Sequence, residues 1–296
     1  MAIEARSDLA LEGISGENWR VGGTEWSQRR VGPFCESRLA IRSEEGERAL
    51  GKPKGEYLTF ECRGLHQLSE GEETQLVRLL GESLRKMAER VSGKRAEGEL
   101  SLLVAGLGNA DLTADAIGPR TVSGLTATRH LAQYEKKLYR SLGCASLSAV
   151  APGVLGQTGI ETSALLLGAV GCVQPDLLLV VDALAARGCE RLGRTVQLSD
   201  VGIEPGSGVG NRRRAITRET MGIPVLALGV PTVVSSATLV WDALSEAGLD
   251  AQAPALSRVL REGESFFVSP KECDLLVARA SSLLSRAIDL AFVCAR

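Results

Sequence analysis

Two aspartates, Asp115 and Asp182, stand where catalytic carboxylates are commonly held. Asp115 lies in GLGNADLTADAIGP, residues 106–119, after the apolar run Leu102, Leu103, Val104, Ala105. An apolar run that breaks at Gly-x-Gly reads as a buried strand entering a tight loop. Asp182 follows a second run, Leu177, Leu178, Leu179, Val180, Val181, and is expected to end that strand. A parallel sheet brings both acids to one edge, where open α/β folds keep their sites. Two carboxylates a few ångströms apart cannot both ionise cheaply, so one keeps a proton near neutral pH. The charged partner can then activate a water while the protonated one polarises a carbonyl. The competing reading makes Asp115 a helix N-terminal acid, favoured there by the dipole. A third gives Asp115, Asp182 and one more oxygen or His130 to a hard divalent cation. Spacing alone leaves these open.

Other chemistries find less support. Gly106 and Gly108 begin a GxGxxG pattern, but position 111 is Asp where the third glycine belongs, and a carboxylate there repels a pyrophosphate. The second glycine-rich loop, residues 206–214, lacks the Lys-[Ser/Thr] ending of a phosphate loop. Its arginines, 212 to 214, suit either an acidic partner or a solvated turn. No GxSxG elbow occurs, and His66 and His130 are the only histidines, so a serine or cysteine triad is poorly supplied. HExxH and ligand-spaced His/Cys pairs are absent, which argues against a zinc site.

Composition narrows the class. The chain has 296 residues, 44% hydrophobic and 24% charged, and a net charge of −2. It is long enough for a sizeable core and has no bulk attraction to nucleic acid or anionic membranes. The 33 glycines exceed the usual ~7% and cluster in loops. Seven cysteines without CxxC spacing favour free thiols in a reducing compartment. No signal-peptide core and no apolar run near ~18 residues is present, so a cytoplasmic chain is expected.

The elements that must position the acids follow from periodicity. Strands are expected at 36–42 and 56–61, with 46–55 as turn material between them; 13–33 shows no clear period. Residues 69–91 read as a helix, with Ser69 and Glu72 forming a capping box and Leu76, Leu80, Leu84 and Met87 on one face. More helix is expected at 131–142, with Pro119 marking an irregular turn before it, and a strand at 146–150. Thr162 is expected to cap an apolar helix that Pro175 ends. Strands at 196–198 and 224–230, a helix at 235–244, and a last helix capped at Ser269 complete the pattern. Strands alternating with helices give an α/β fold with a mostly parallel central sheet flanked by helices.

The words of the sequence resemble a known family. GLGN at 106–109 with TADAIGP, TRHL at 128–131 and SAVAPGVLGQTGIETS at 148–163 carry the likeness. PDLLLVVDALAAR at 175–187, SDVGIEPGSGVGNRRR at 199–214, GIPVLALGVPTVV at 222–234 and GERALGKPKGEYLTFE at 46–61 add to it. These are similar to the germination protease of endospore-forming bacteria. The resemblance implies an endopeptidase of atypical aspartic type, with catalytic acids matching Asp115 and Asp182; Glu161, a third acid in the GIET loop, Asn109 and His130 are candidate supporting residues. It implies small acid-soluble spore proteins as substrates, a homotetramer, a cytoplasmic spore location and no required cofactor. It also implies a fold similar to hydrogenase-maturation endopeptidases, whose equivalent acids hold a metal, so a divalent ion stays open.

The family's substrates are cut after an acid and before a large apolar residue followed by Ala, with an acid close behind. Asp8-Leu9-Ala10-Leu11-Glu12 fits that pattern, so self-cleavage is expected between Asp8 and Leu9. The expected organisation is a pro-segment at 1–8 and one peptidase domain at 9–296, β-rich over about 9–65. The leader is shorter than usual for the family. Ala114 and Ala164 replace its customary proline and acid, and 13–34 and 245–268 match it poorly.

Overall fold

A computed structural model describes residues 7–14, 18–206, 213–248 and 266–293. Residues 1–6, most of the second glycine-rich loop and Cys294 lie outside them.

The N-terminal part supplies three antiparallel strands: β1 (Thr24–Val31), β2 (Phe34–Ile41) and β3 (Gly55–Glu61). β1 is a strand that periodicity missed. It is an edge strand, exposed along much of its length, with Glu25, Arg29 and Arg30 on it, a composition that discourages pairing with other chains. Between β2 and β3 the expected turn is instead helix α1 (Glu44–Leu50). Ser43 caps it by accepting from the Gly46 N–H at 3.0 Å, three acids occupy its first turn, and Gly51 at φ +63° ends it. Only Gly46 and Leu50 are buried, too few to show a period.

Helix α2 (Glu70–Ser92) begins with the expected capping box, Ser69 accepting from the Glu72 N–H and Glu72 from the Ser69 N–H. The central strands are β4 (Ser101–Gly106), β5 (Ser146–Val150), β6 (Leu177–Ala186), β7 (Thr195–Ser199) and β8 (Val225–Ser235), with a short β9 (Phe267–Val268). Their order is β1-β2-β3-β7-β8-β6-β4-β5, with β9 on β8. The pairs β5–β4, β4–β6 and β6–β8 are parallel; those involving β1, β2, β3, β7 and β9 are antiparallel.

The remaining helices are α3 (Ile117–Ser123), α4 (Arg129–Tyr134), α5 (Lys136–Leu142), α6 (Leu155–Thr158), α7 (Thr162–Val173), α8 (Arg218–Met221), α9 (Ser236–Glu246) and α10 (Cys273–Phe292). Pro119 is accommodated in the first turn of α3, where its missing N–H costs least. The helix expected at 131–142 is broken at Glu135 (φ −125°, ψ 53°). Thr162 does not cap α7: Glu161 holds that position, and the Thr162 hydroxyl donates to the Gly153 carbonyl at 3.1 Å. Ser269 does not cap α10 either, which starts at Cys273 after a turn closed by its N–H on the Pro270 carbonyl at 3.1 Å.

The sheet divides the core in two. Leu102, Val104, Leu177, Leu179 and Val181 face α2 and α10, whose Leu80, Leu84, Leu284 and Ile288 are fully buried. Leu103, Leu178 and Val180 face Leu166 of α7 and Met221 of α8. Each such side chain contributes about 1.5–3 kcal/mol on burial, so β4 and β6 form a rigid platform.

Candidate functional site

β4 and β6 run parallel until Gly106 stands opposite Val181. There β4 leaves the sheet, and the Leu107 N–H donates to the Val181 carbonyl at 2.8 Å. β6 does not stop at Asp182, as its apolar run suggests; it continues to Ala186 because β8 stays alongside. Asp182 is therefore inside a strand, one residue past the point where its β4 neighbour departs.

The turn after β4 carries Asp115 back to this edge. The Asp115 N–H closes on the Leu112 carbonyl at 2.8 Å, and its Oδ2 accepts from the Asn109 N–H at 2.7 Å. Gly108, at φ +107°, permits this: a Cβ there would stand 2.0 Å from the Asp115 carbonyl oxygen. Gly118 brings α3 equally close, since its Cβ would meet the Val181 carbonyl at 2.5 Å. The Thr232 hydroxyl of β8 donates to the Ala114 carbonyl at 2.6 Å and ties the turn to the sheet.

Burial dominates the electrostatics. Asp182, 7% exposed, has its carboxyl pushed well above the usual range by desolvation first, then by the charges of Asp115 and Asp8. The Ala183 N–H, donating to its Oδ1 at 2.9 Å, offsets this in part. Asp115 is also raised by burial, but the Asn109 N–H and the Arg213 charge pull it down. The Asp115 charge adds to the burial of Asp182, which makes Asp182 the more favourable of the two to hold a proton. The arrangement thus holds one acid and one base side by side, the requirement for moving a proton to a carbonyl while taking one from water.

The germination protease family model matches residues 9–247. The chain belongs to the germination protease family. The germination protease of Caldanaerobacter subterraneus subsp. tengcongensis is 38% identical over 313 residues, covering 98% of this chain and 92% of that protein. That of Priestia megaterium is 42% identical, covering 82% of this chain and 65% of its own. That of Clostridium tetani is 32% identical, with coverages of 98% and 94%. A hydrogenase maturation protease from Thermococcus kodakarensis covers 70% of this chain and 98% of its own at 16% identity, with a TM-score of 0.37.

Of the expected site residues, Asp115, Asp182 and Asn109 come together. Glu161 reaches the site through Arg213, 3.7 Å away, whose charge acts on Asp115. The Asn109 side chain accepts from the Asp111 N–H at 2.9 Å and the Gln157 amide at 2.7 Å, which fixes the loop. His130 is exposed on α4, and no hydrogen bond or ion pair among the described residues joins it to either aspartate. Asp8 does approach the site: its charge acts on Asp182, and its N–H donates to the Ala185 carbonyl at 2.9 Å.

Three participants escaped the sequence reading. Gln197 of β7 lies in one row with Asp182, both opposite Gly229 of β8. Lys52 lines a cavity of about 680 Å³ together with Asp8, Leu9, Glu12, Leu184 and Gln197, and Arg191 stands 3.5 Å from Glu12. Strand order, not local pattern, brings them there. Among the described residues, no group of three or more His, Cys, Asp or Glu side chains could hold a metal ion. No helix among the described residues is long and apolar enough to cross a membrane.

Proposed function

We propose that this chain is an endopeptidase that opens the degradation of small acid-soluble spore proteins during germination, using Asp115 and Asp182. The observation that carries the reading is the coupled carboxyl pair, one member of which is nearly enclosed and holds its proton well above the usual range. Asp115, kept the more acidic by the Asn109 N–H and Arg213, takes a proton from water. The resulting hydroxide attacks the scissile carbonyl while Asp182 donates its proton to the carbonyl oxygen. On collapse, Asp115 passes its proton to the departing nitrogen and Asp182 recovers its own from the oxygen. Glu161 and Asn109 act as positioning residues through Arg213 and the loop backbone.

The same reading includes cleavage after an acidic residue and before a large apolar one, self-processing between Asp8 and Leu9 of a zymogen, a homotetrameric assembly and a cytoplasmic setting in the spore. Asp8, Leu9 and the acid four residues on from Asp8 support it by lying against the site. Replacing Asp115 or Asp182 by Asn is expected to lower cleavage of a spore-protein substrate by at least ~100-fold; full activity in either variant refutes the pair. Activity that falls with a strong chelator and returns with a divalent ion would favour a metal-dependent mechanism through the same acids. N-terminal sequencing of the matured protein is expected to begin at Leu9, and another terminus rejects that site.

A further inference from the structure

The edge of β6 beyond Val181 has lost β4 as a partner, so its outward N–H groups need acceptors. Side-by-side alternation makes these the N–H groups of residues 183, 185 and 187. Each is taken by a carboxylate. Asp182 accepts from Ala183, Asp8 Oδ2 from Ala185 at 2.8 Å, and Glu12 Oε2 from Arg187 at 2.8 Å. Glu12 Oε1 also accepts from the Gly188 N–H at 2.9 Å, and Arg191 stands 3.5 Å from it.

Between the two acids, the segment 8–12 is held as a peptide ligand would be. Leu9 is fully buried against Leu184 and Ala186, with Leu192 and Ile203 beside them. Ala10 is fully buried beside Leu39, Ile41, Leu50 and Tyr57. Gln197 reads the peptide groups on both sides of Leu9: its Nε2 donates to the Asp8 carbonyl at 3.1 Å, and its Oε1 accepts from the Ala10 N–H at 2.7 Å. Lys52 turns its Nζ to the Ser7 carbonyl at 2.6 Å, with the charges of Asp8 and Glu12 both facing it.

We propose that the groove holding residues 8–12 is the peptide-binding groove of the site, and that Lys52 and Arg191 are its specificity-determining residues, selecting peptides with two acidic side chains four residues apart. The proposal rests on the reading of Asp115 and Asp182 as peptide-cleaving acids. It adds that the first acid is read by Lys52 and the Ala185 N–H. The second is read by Arg191 with the N–H groups of Arg187 and Gly188.

The test is binding, which needs no cleavage. In the full chain, Leu9→Asp puts a charge into an apolar pocket and is expected to vacate the groove. A fluorescent peptide copying residues 7–13 should then bind this variant and not the wild type. Adding Arg191→Gln should weaken binding by about 10-fold or more, as loss of a charge-assisted contact does. Replacing the peptide's second acid by Gln should cost a similar factor on the Leu9→Asp chain and almost nothing further once Arg191 is also changed. Lys52→Met should behave in the same way toward the first acid. Equal affinity for acidic and Gln-substituted peptides overturns the proposal, as does a folded Leu9→Asp chain that binds no peptide. If Leu9→Asp does not fold, hydrogen exchange decides: Arg191→Gln alone should speed exchange at residues 9–12 and leave 177–181 unchanged, and unchanged exchange at 9–12 overturns it. Peptide binding in a chain that cleaves nothing would sink the peptidase reading and leave the groove standing.

Discussion

Asp182→Asn should make the protein more stable while removing its activity. Asp182 is 7% exposed, and among the described residues its carboxyl has one hydrogen bond, from the Ala183 N–H. Its ionised form also faces the charges of Asp115 and Asp8. Asn keeps the shape and an acceptor for Ala183 but carries no charge. Relief of such functional strain commonly returns about 0.5–2 kcal/mol. For a large domain this corresponds to a rise in Tm of about 2 °C per kcal/mol. The sign with pH follows from linkage. A carboxyl whose folded pKa is raised stabilises the fold fully below its unfolded value, ~3.9, and that contribution is lost as pH rises toward the folded value. The advantage of Asp182→Asn should therefore be near zero in acid and grow toward neutral and alkaline pH. Carboxylates lowered by partners, such as Glu36 between Arg29 and Arg38, follow the opposite course but cancel in the difference between the two proteins. Thermal unfolding of both from pH 4 to 8.5 measures it. A variant less stable than wild type at high pH, or a difference that does not change with pH, refutes the reasoning.

Three further outcomes follow from the site and its platform. Gly108→Ala, whose Cβ would stand 2.0 Å from the Asp115 carbonyl at φ +107°, should cost about 1–3 kcal/mol or more and depress kcat, measured by urea unfolding and peptide cleavage. Arg213→Gln removes the cation that lowers the Asp115 carboxyl, so the acidic limb of the kcat/KM profile should move to higher pH; an unmoved limb dissociates Arg213 from the chemistry. Leu84→Ala, fully buried where α2 meets the sheet, should cost about 2–5 kcal/mol in chemical denaturation without shifting the pH profile.

The placement of Asp115 and Asp182 at one edge was legible because the strand before the first and the strand holding the second are continuous apolar runs, a pattern that survives burial on both faces. The capping box at Ser69 and the apolar face of α2 were legible for a similar reason: their signals lie within a few residues. What could not be read was assembled across the sheet. Gln197 becomes a neighbour of Asp182 only because β8 lies between β7 and β6 and presents Gly229 at that row. Lys52 sits in a glycine- and proline-rich connection that looked like plain turn, and α1 before it buries too few residues to declare a period. β1 hid because an exposed edge strand has no apolar alternation to show.

The order of the strands also explains why a costly acid stands at this position. When β4 leaves at Gly106, three successive N–H groups on that side of β6 would be stranded in a half-enclosed groove. Leaving each unpaired costs about 1–3 kcal/mol, so an acceptor at every second residue is worth its desolvation. Asp182 serves the first from within the strand, Asp8 and Glu12 serve the next two from an incoming segment. The bound segment is extended at Leu9 and then turns into a short 3-10 helix, Ala10–Gly13, so it meets the edge through carboxylates at the right spacing, side-chain acceptors standing in place of a second strand's carbonyls. Asp182 pays a double charge repulsion when such a chain arrives, because Asp8 approaches while Asp115 is already near. Protonating the pair relieves that repulsion, so the groove and the acid pair are coupled: a peptide with an acid beside Asp182 must bind more tightly as the pH falls through the pair's titration, and a peptide with Asn there must not.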